Sequence, residues 1–298
     1  MKILIIGCKG FIGSHAFKYF TSAGYETYGC DLVADYTVER YTQINATNSD
    51  FTGLISGVLP DVCINCAGAA NVPYSLDNPL NDFYLNTFNV FRILEAIRRF
   101  QPACKFINIS SAAVYGSPID LPIGEYTKRH PISPYGFHKV MAEEICKEFT
   151  HFFGIRTCSL RVFSAYGPGL KKQLLWDVHR KTQQSTQIEM LGTGHETRDF
   201  IYVGDLVHLL ELIMHKSAFN GEAINAGNGI QTTVREIIRL WLEITAWRGK
   251  VTFTGTVRKG DPLRWEADIT KIQSMGYQSK VGLQEGINNY YQWVTENT

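Results

Sequence analysis

The chain has 298 residues, 45% hydrophobic and 19% charged, which suits a folded protein with one larger and one smaller core and excludes disordered, collagen-like and low-complexity classes. Lys and Arg total 29 against 28 Asp and Glu, a formal net charge of +1, so no global field recruits nucleic acid or an anionic membrane and any anion site must be local. The seven cysteines are an odd number without metal-ligand spacing; most sit in apolar runs and read as buried reduced thiols, and no metal site is expected.

Lys2 to Ile6 reads as a buried strand, far too short to span a membrane, and the lack of a signal peptide or lipidation motif makes a cytoplasmic address the default expectation. Gly7-Cys8-Lys9-Gly10-Phe11-Ile12-Gly13 follows directly and opens a helix over Phe11 to Ala23. Backbone must approach a pyrophosphate closely at such a turn, and the helix N-terminus offers free N–H donors and partial positive charge. No Gly-Lys-Ser/Thr follows, which argues against a P-loop. Glu26 to Cys30 reads as the second strand, and Asp31 at its end stands 18 residues past Gly13. A carboxylate there accepts hydrogen bonds from an adenosine ribose and repels a 2′-phosphate, so NAD is expected over NADP.

Asp61 to Cys66 reads as a further strand; it contains the C-x-x-C spelled by Cys63 and Cys66, whose alternate residues face opposite sides. A helix over Asn86 to Phe100 precedes a strand over Lys105 to Ile109, which places the Ser110 and Ser111 hydroxyls at the carboxyl end of a parallel strand, where doubly wound sheets bind ligands. Ser133 caps and Pro134 starts a helix over Pro134 to Phe153. Tyr135 and Lys139 lie four residues apart on it and so share a face. A nearby ammonium and an oxidised nicotinamide would both favour the phenolate of a tyrosine acting as base. Arg156 to Val162 reads as the last regular strand.

Beyond Tyr166 the elements shorten: a helix near Gln173 to Thr182, a strand near Ile188 to Leu191, a helix over Val203 to His215, and one capped by Thr233 with Val234, Ile237, Ile238 and Trp241 as its apolar stripe. Alternating strands and helices define an α/β doubly wound parallel sheet of the Rossmann type with a smaller mixed α/β carboxyl-terminal domain. The expected division is a NAD-binding domain over residues 1–165 and a substrate domain over 166–298, with segments around 198–226 packing back on the first.

G-x-x-G-F-I-G, S-S-x-x-V-Y-G, Y-x-x-x-K, R-V-F-S-A-Y-G-P-G from Arg161 to Gly169, and R-D-F-I-Y-V from Arg198 to Val203 together resemble extended short-chain dehydrogenases/reductases of the nucleotide-sugar epimerase/dehydratase family. The resemblance runs from Gly7 to about Asp261. It implies Ser111, Tyr135 and Lys139 as the catalytic set. It implies cofactor contacts from Gly7, Gly10, Phe11, Ile12, Gly13, Asp31, Ser110, Tyr135 and Lys139, with Asn45 and Ala46 near the adenine, Ala67, Gly68 and Ala69 beneath the cofactor, and Asn86 beside it. It implies a nucleotide-diphospho-sugar held by Ser111, Tyr135, Ser164, Arg198, Arg258 and Asp261, and guanidinium forks suit phosphate oxygens. Ser164 departs from the asparagine usual there, His138 from a serine, and Asn89-Val90 from a Gly-Thr pair, while Lys171, Lys172 and Gln173 offer extra phosphate contacts.

The family's shared first step removes hydride from the sugar C4 while the tyrosine takes the hydroxyl proton. Family dehydratases carry Asp-Glu after the catalytic hydroxyl residue; Ala112-Ala113 stand here and cannot transfer protons. A 4-epimerase passing through a transient 4-keto-sugar is the preferred reading. The alternatives are a 4-keto-sugar reductase fed by NAD(P)H and a non-catalytic NAD-binding sensor, which the intact Tyr135 and Lys139 argue against. The resemblance also implies a homodimer through the helices starting near Asn86 and Pro134, whose Phe88, Phe91, Met141 and Ile145 could equally cover the sheet.

Overall fold

The computed structural model describes residues 1–45, 49–258 and 260–297. β1 (Lys2–Ile6), α1 (Phe11–Ser22), β2 (Glu26–Asp31), β3 (Tyr41–Gln43), α2 (Phe51–Val58) and β4 (Val62–Asn65) open the chain. α3 (Val72–Asp77) and α4 (Pro79–Phe83) follow, and a π-helical turn at Tyr84–Phe88 leads into α5 (Asn89–Phe100). β5 (Lys105–Ser111), α6 (Pro134–Phe153), β6 (Arg156–Val162) and β7 (Ser164–Tyr166) come next. α7 (Gln173–Gln184), β8 (Gln187–Met190), β9 (Thr197–Tyr202), α8 (Val203–Lys216), β10 (Asn220–Ala226) and β11 (Gln231–Thr233) precede α9 (Val234–Ile244), β12 (Lys250–Phe253), α10 (Thr270–Ser274) and α11 (Leu283–Asn297).

Seven strands form one sheet in the order β3-β2-β1-β4-β5-β6-β10, every neighbouring pair parallel. A sheet covered on both faces needs apolar residues at successive strand positions. β1 supplies them: Ile3 and Ile5 join the core with Phe20 of α1 and Leu206, Leu209 and Leu210 of α8, while Leu4 and Ile6 join that of α2, α5 and α6. Each is fully buried, and truncating one to alanine would cost about 2–5 kcal/mol. The order reverses between β1 and β4, so a crevice opens beyond their carboxyl ends. A third apolar cluster around Val178, Ile188, Ile237, Trp241, Ile287 and Tyr290 lies apart from the sheet, with the two small sheets β11-β9-β7 and β12-β8. This is a Rossmann-like α/β fold with a smaller mixed unit.

The amino-terminal elements lie within a residue or two of their expected bounds. Thr233 closes a full capping box with Glu236 at the start of α9. The helix expected from Asn86 differs: helical backbone begins upstream at Val72, is interrupted at Asn78, and passes through the π-helical turn, which buries Asn86 and Thr87. Ile145 packs against the core of α2, α5 and α6, whereas Phe88, Phe91 and Met141 stay exposed. All seven cysteines are unpaired; six are buried and Cys66 is half-buried. Among the described residues no helix is long and apolar enough to cross a membrane.

Candidate active site

The glycine turn links the tips of three strands. Gly7 has φ +81°, donates its N–H to the Cys30 carbonyl of β2 (2.8 Å), and leaves no room for a Cβ, which would stand 2.7 Å from the Ala67 nitrogen after β4. A Cβ at Gly13 would lie 2.0 Å from the Gly7 carbonyl oxygen, so α1 packs directly on the turn. The N–H of Gly10 turns back to the Gly7 carbonyl (3.1 Å), and Phe11 and Ile12 begin the helix. Asp31 ends β2 with its carboxylate accepting from the Lys9 N–H (2.8 Å) and the Leu32 N–H (2.7 Å). Lys9 itself pairs with Asp35, which leaves the helix N-terminus as the cationic feature there. Asn45 follows β3, and Ala46 lies outside the described residues. These groups fit a dinucleotide: a pyrophosphate cradle that side chains would fill, and a carboxylate poised for ribose hydroxyls.

Across the crevice, Ser133 caps α6 by accepting from the Gly136 N–H (3.1 Å), which fixes Tyr135 and Lys139 in its first two turns. Both are buried. Lys139 Nζ lies 5.8 Å from the Tyr135 ring centre and donates to the Ile109 carbonyl at the end of β5 (2.8 Å). Burial pushes the phenol up to about 12, against a lowering by a hydrogen bond with Ser111 and with a further rise from the Asp82 carboxylate. Burial lowers the Lys139 ammonium to about 8, opposed chiefly by Asp82. Ser111 is buried and accepts from the Ala113 N–H (3.1 Å), and with its hydrogen bond to Tyr135 and Lys139 over the Tyr135 ring the three side chains converge.

Ser110 turns away. Its hydroxyl donates to buried Glu143 (2.7 Å), which also receives Arg161 Nε (2.9 Å) and Nη2 (2.7 Å). Arg161 Nη1 reaches the Tyr115 hydroxyl (2.7 Å) and the Glu125 carbonyl (2.8 Å), and Tyr115 donates to Asn225 of β10 (2.7 Å). This chain ties β5, α6, β6 and β10 beneath the site.

On the far side, Arg258 Nε meets Asp261 at 3.2 Å, and both act electrostatically on Arg198. Arg198 donates to its neighbouring Thr197 carbonyl (2.9 Å) and lies 5.7 Å from the Trp265 ring. Gly260 packs on Val72 and Ser133, which brings this loop to the start of α6. Ser164 is half-buried in β7, next to β9. Lys172 Nζ reaches the Ala70 carbonyl (3.3 Å), and the preceding turn touches α1, where His15 Nε2 contacts the Pro168 carbonyl (2.8 Å). Sequence reading missed Trp265, whose indole N–H donates to the Gly116 carbonyl (2.9 Å), and Asp82, which is fully buried beside the tyrosine and lysine. The four-residue spacing of Asp82 and Asn86 was the only local signal for the latter.

A glycine cradle at a sheet reversal, an acidic β2 end and a Ser, Tyr, Lys cluster define a dinucleotide-dependent oxidoreductive site. Residues 3–227 match the model of the NAD dependent epimerase/dehydratase family, and the chain belongs to that family. Over 99% of both chains it is 28% identical to a putative UDP-glucose 4-epimerase of Methanocaldococcus jannaschii. A UDP-glucuronic acid 4-epimerase of Bacillus cereus, solved with UDP-glucuronic acid and NAD, superposes with a TM-score of 0.91 at 26% identity, covering all of both chains. A UDP-glucose 4-epimerase of Thermotoga maritima, solved with UDP-glucose, gives 0.90 at 27% identity over 100% of this chain and 99% of the other.

Proposed function

We propose that this enzyme is an NAD-dependent nucleotide-diphospho-sugar 4-epimerase. The observation that carries the reading is the convergence of Ser111, Tyr135 and Lys139 from the end of β5 and the start of α6, with Lys139 next to Gly68, one residue beyond the Ala67 that abuts Gly7. The 4-epimerase relatives support it. Gly7, Gly10, Phe11, Ile12 and Gly13 hold the pyrophosphate, Asp31 the adenosine ribose, and Asn86 and Lys139 the nicotinamide end. NAD held there would supply a two-electron acceptor for the sugar's C4 without being consumed overall. Tyr135 holds the C4 hydroxyl and takes its proton, Ser111 donates to the same oxygen, and Lys139 favours the phenolate electrostatically. Arg198 and Arg258 anchor the diphosphate of the sugar nucleotide, with Asp261 paired to Arg258 beside it (3.2 Å), so the pyranose can turn over while its tether stays bound. Ala112 and Ala113 supply no acid or base for elimination of water.

Residues 1–165 with the returning segment around 198–226 form the cofactor unit, and the rest of 166–298 closes over the substrate. The exposed Phe88, Phe91 and Met141 are the expected seam of a homodimer through α5 and α6, and light scattering returning only monomer mass would refute it. The unpaired thiols suit a reducing, cytoplasmic setting. The decisive experiment incubates the purified protein with UDP-, dTDP-, GDP- and CDP-sugars without added cofactor and follows the anomeric NMR signals. Inversion at C4 is the expected result; turnover only with a keto-sugar and reduced cofactor would replace the epimerase with a reductase.

A further inference from the structure

Asp82 is fully buried at the end of the short helix α4, and both of its oxygens are engaged. Oδ1 accepts from Asn86 Nδ2 (3.0 Å) and Oδ2 from His138 Nδ1 (2.5 Å). Asn86 Nδ2 also donates to the Ala69 carbonyl (3.2 Å). A carboxylate and a carbonyl only accept, so the Asn86 NH2 group must face them and its carbonyl oxygen must face the other way. That oxygen, buried, has no hydrogen-bond partner among the described residues. It lies at Gly68, where a Cβ would stand 2.5 Å from it and 3.5 Å from Lys139 Nζ, so acceptor and ammonium border the same glycine. Leaving a buried acceptor without a partner is costly, and a donor on a bound ligand would satisfy it.

We infer that Asp82 and His138 are positioning residues that lock the Asn86 amide so that it presents an acceptor to an N–H or O–H donor on the nicotinamide nucleoside of the cofactor. His138 secures Asp82 from α6, one residue before Lys139, and rests edge-on against Phe83 (5.6 Å). Thr87 bonds the His138 carbonyl (2.9 Å) and fastens the π-helical turn to α6. Such turns commonly mark functional positions in helices. With Asp82 replaced by an apolar residue, only the Ala69 carbonyl would hold the amide, and the acceptor would lose its fixed aim.

This inference rests on the proposed cofactor reading, and cofactor binding separates the two. Stripped protein is titrated with NAD and with ADP-ribose, for the wild type and for Asp82→Leu, Asp82→Asn and His138→Phe. Wild type that fails to bind NAD would remove the function reading itself. With wild-type binding intact, Asp82→Leu is expected to weaken NAD about ten-fold or more and His138→Phe several-fold. Asp82→Asn, whose carbonyl can still accept from Asn86, should restore most of the affinity. Loss toward both ligands identifies a ribose hydroxyl as the donor, and loss toward NAD alone identifies the carboxamide. Unchanged NAD affinity in folded Asp82→Leu, or an Asp82→Asn variant as weak as Asp82→Leu, would overturn the inference. If Asp82→Leu does not fold, His138→Phe supplies the test, and wild-type affinity there counts against it.

Discussion

Lys139 directs its ammonium to the Ile109 carbonyl at 2.8 Å while standing 5.8 Å from the centre of the Tyr135 ring, so its hydrogen bond goes to the end of β5 while its charge lies over the ring. Burial drives both groups toward neutrality, Tyr135 up to about 12 and Lys139 down to about 8. A buried phenol in that state is a weak base until a further positive charge arrives beside it. Tyr135→Phe is therefore expected to lower kcat by about 10²–10⁴-fold with little change in sugar-nucleotide affinity, and Ser111→Ala by less. Steady-state rates paired with direct binding measurements check this.

The depressed Lys139 value also has a stability consequence. Below pH 8 folding must bury a charged ammonium, and between about 8 and 10.5 the unfolded chain binds more protons, so stability rises with pH through that window. Lys139→Met is expected to remove this rise. Denaturant midpoints of both proteins at pH 7 and pH 10 decide it: a wild-type slope retained in the variant would assign the effect elsewhere.

Glu143 binds Arg161 through both oxygens and Ser110 as well, all buried. Removing one member of such a pair strands the other charge. Glu143→Ala should cost about 3–5 kcal/mol, visible as a large fall in the melting temperature.

Asp31 is held at the end of β2, beside the glycine turn, by two backbone N–H donors. Replacing it with arginine should weaken NAD and admit NADP, because the carboxylate that repels a 2′-phosphate is exchanged for a group that binds one. Titration with both dinucleotides reads the switch, and a retained preference for NAD would place the ribose elsewhere.

Arg198 and Arg258 converge from β9 and a distant loop. Methionine at either position is expected to raise KM for the sugar nucleotide roughly ten- to hundred-fold, since a hydrogen bond to a charged group contributes about 1.5–3 kcal/mol. kcat should change far less if the arginines bind diphosphate in ground and transition states alike.

Local chemistry made much of the site legible. The Gly7 to Gly13 turn, the Ser133 cap with Pro134, the four-residue step from Tyr135 to Lys139, and Asp31 at a strand end each depend on neighbours within one element. The π-helical turn at Tyr84–Phe88 was not legible, because i→i+5 bonding leaves no periodic apolar signature distinct from a helix. Nor was the inward turn of Ser110, since two adjacent strand residues point to opposite faces and only the position of α6 tells which faces the groove.

The sequence by itself determined the alternating strands and helices, the tight glycine turn after β1 and the shared face of Tyr135 and Lys139, because backbone sterics and side-chain periodicity act over a few residues. Tertiary structure alone decided that β10 joins β6 at the sheet edge, that Arg198, Arg258 and Asp261 come together, and that Asp82 lies between Asn86 and His138. Those partners are brought together by how helices and strands pack, and no local pattern encodes the distance between residues that meet only when the core closes.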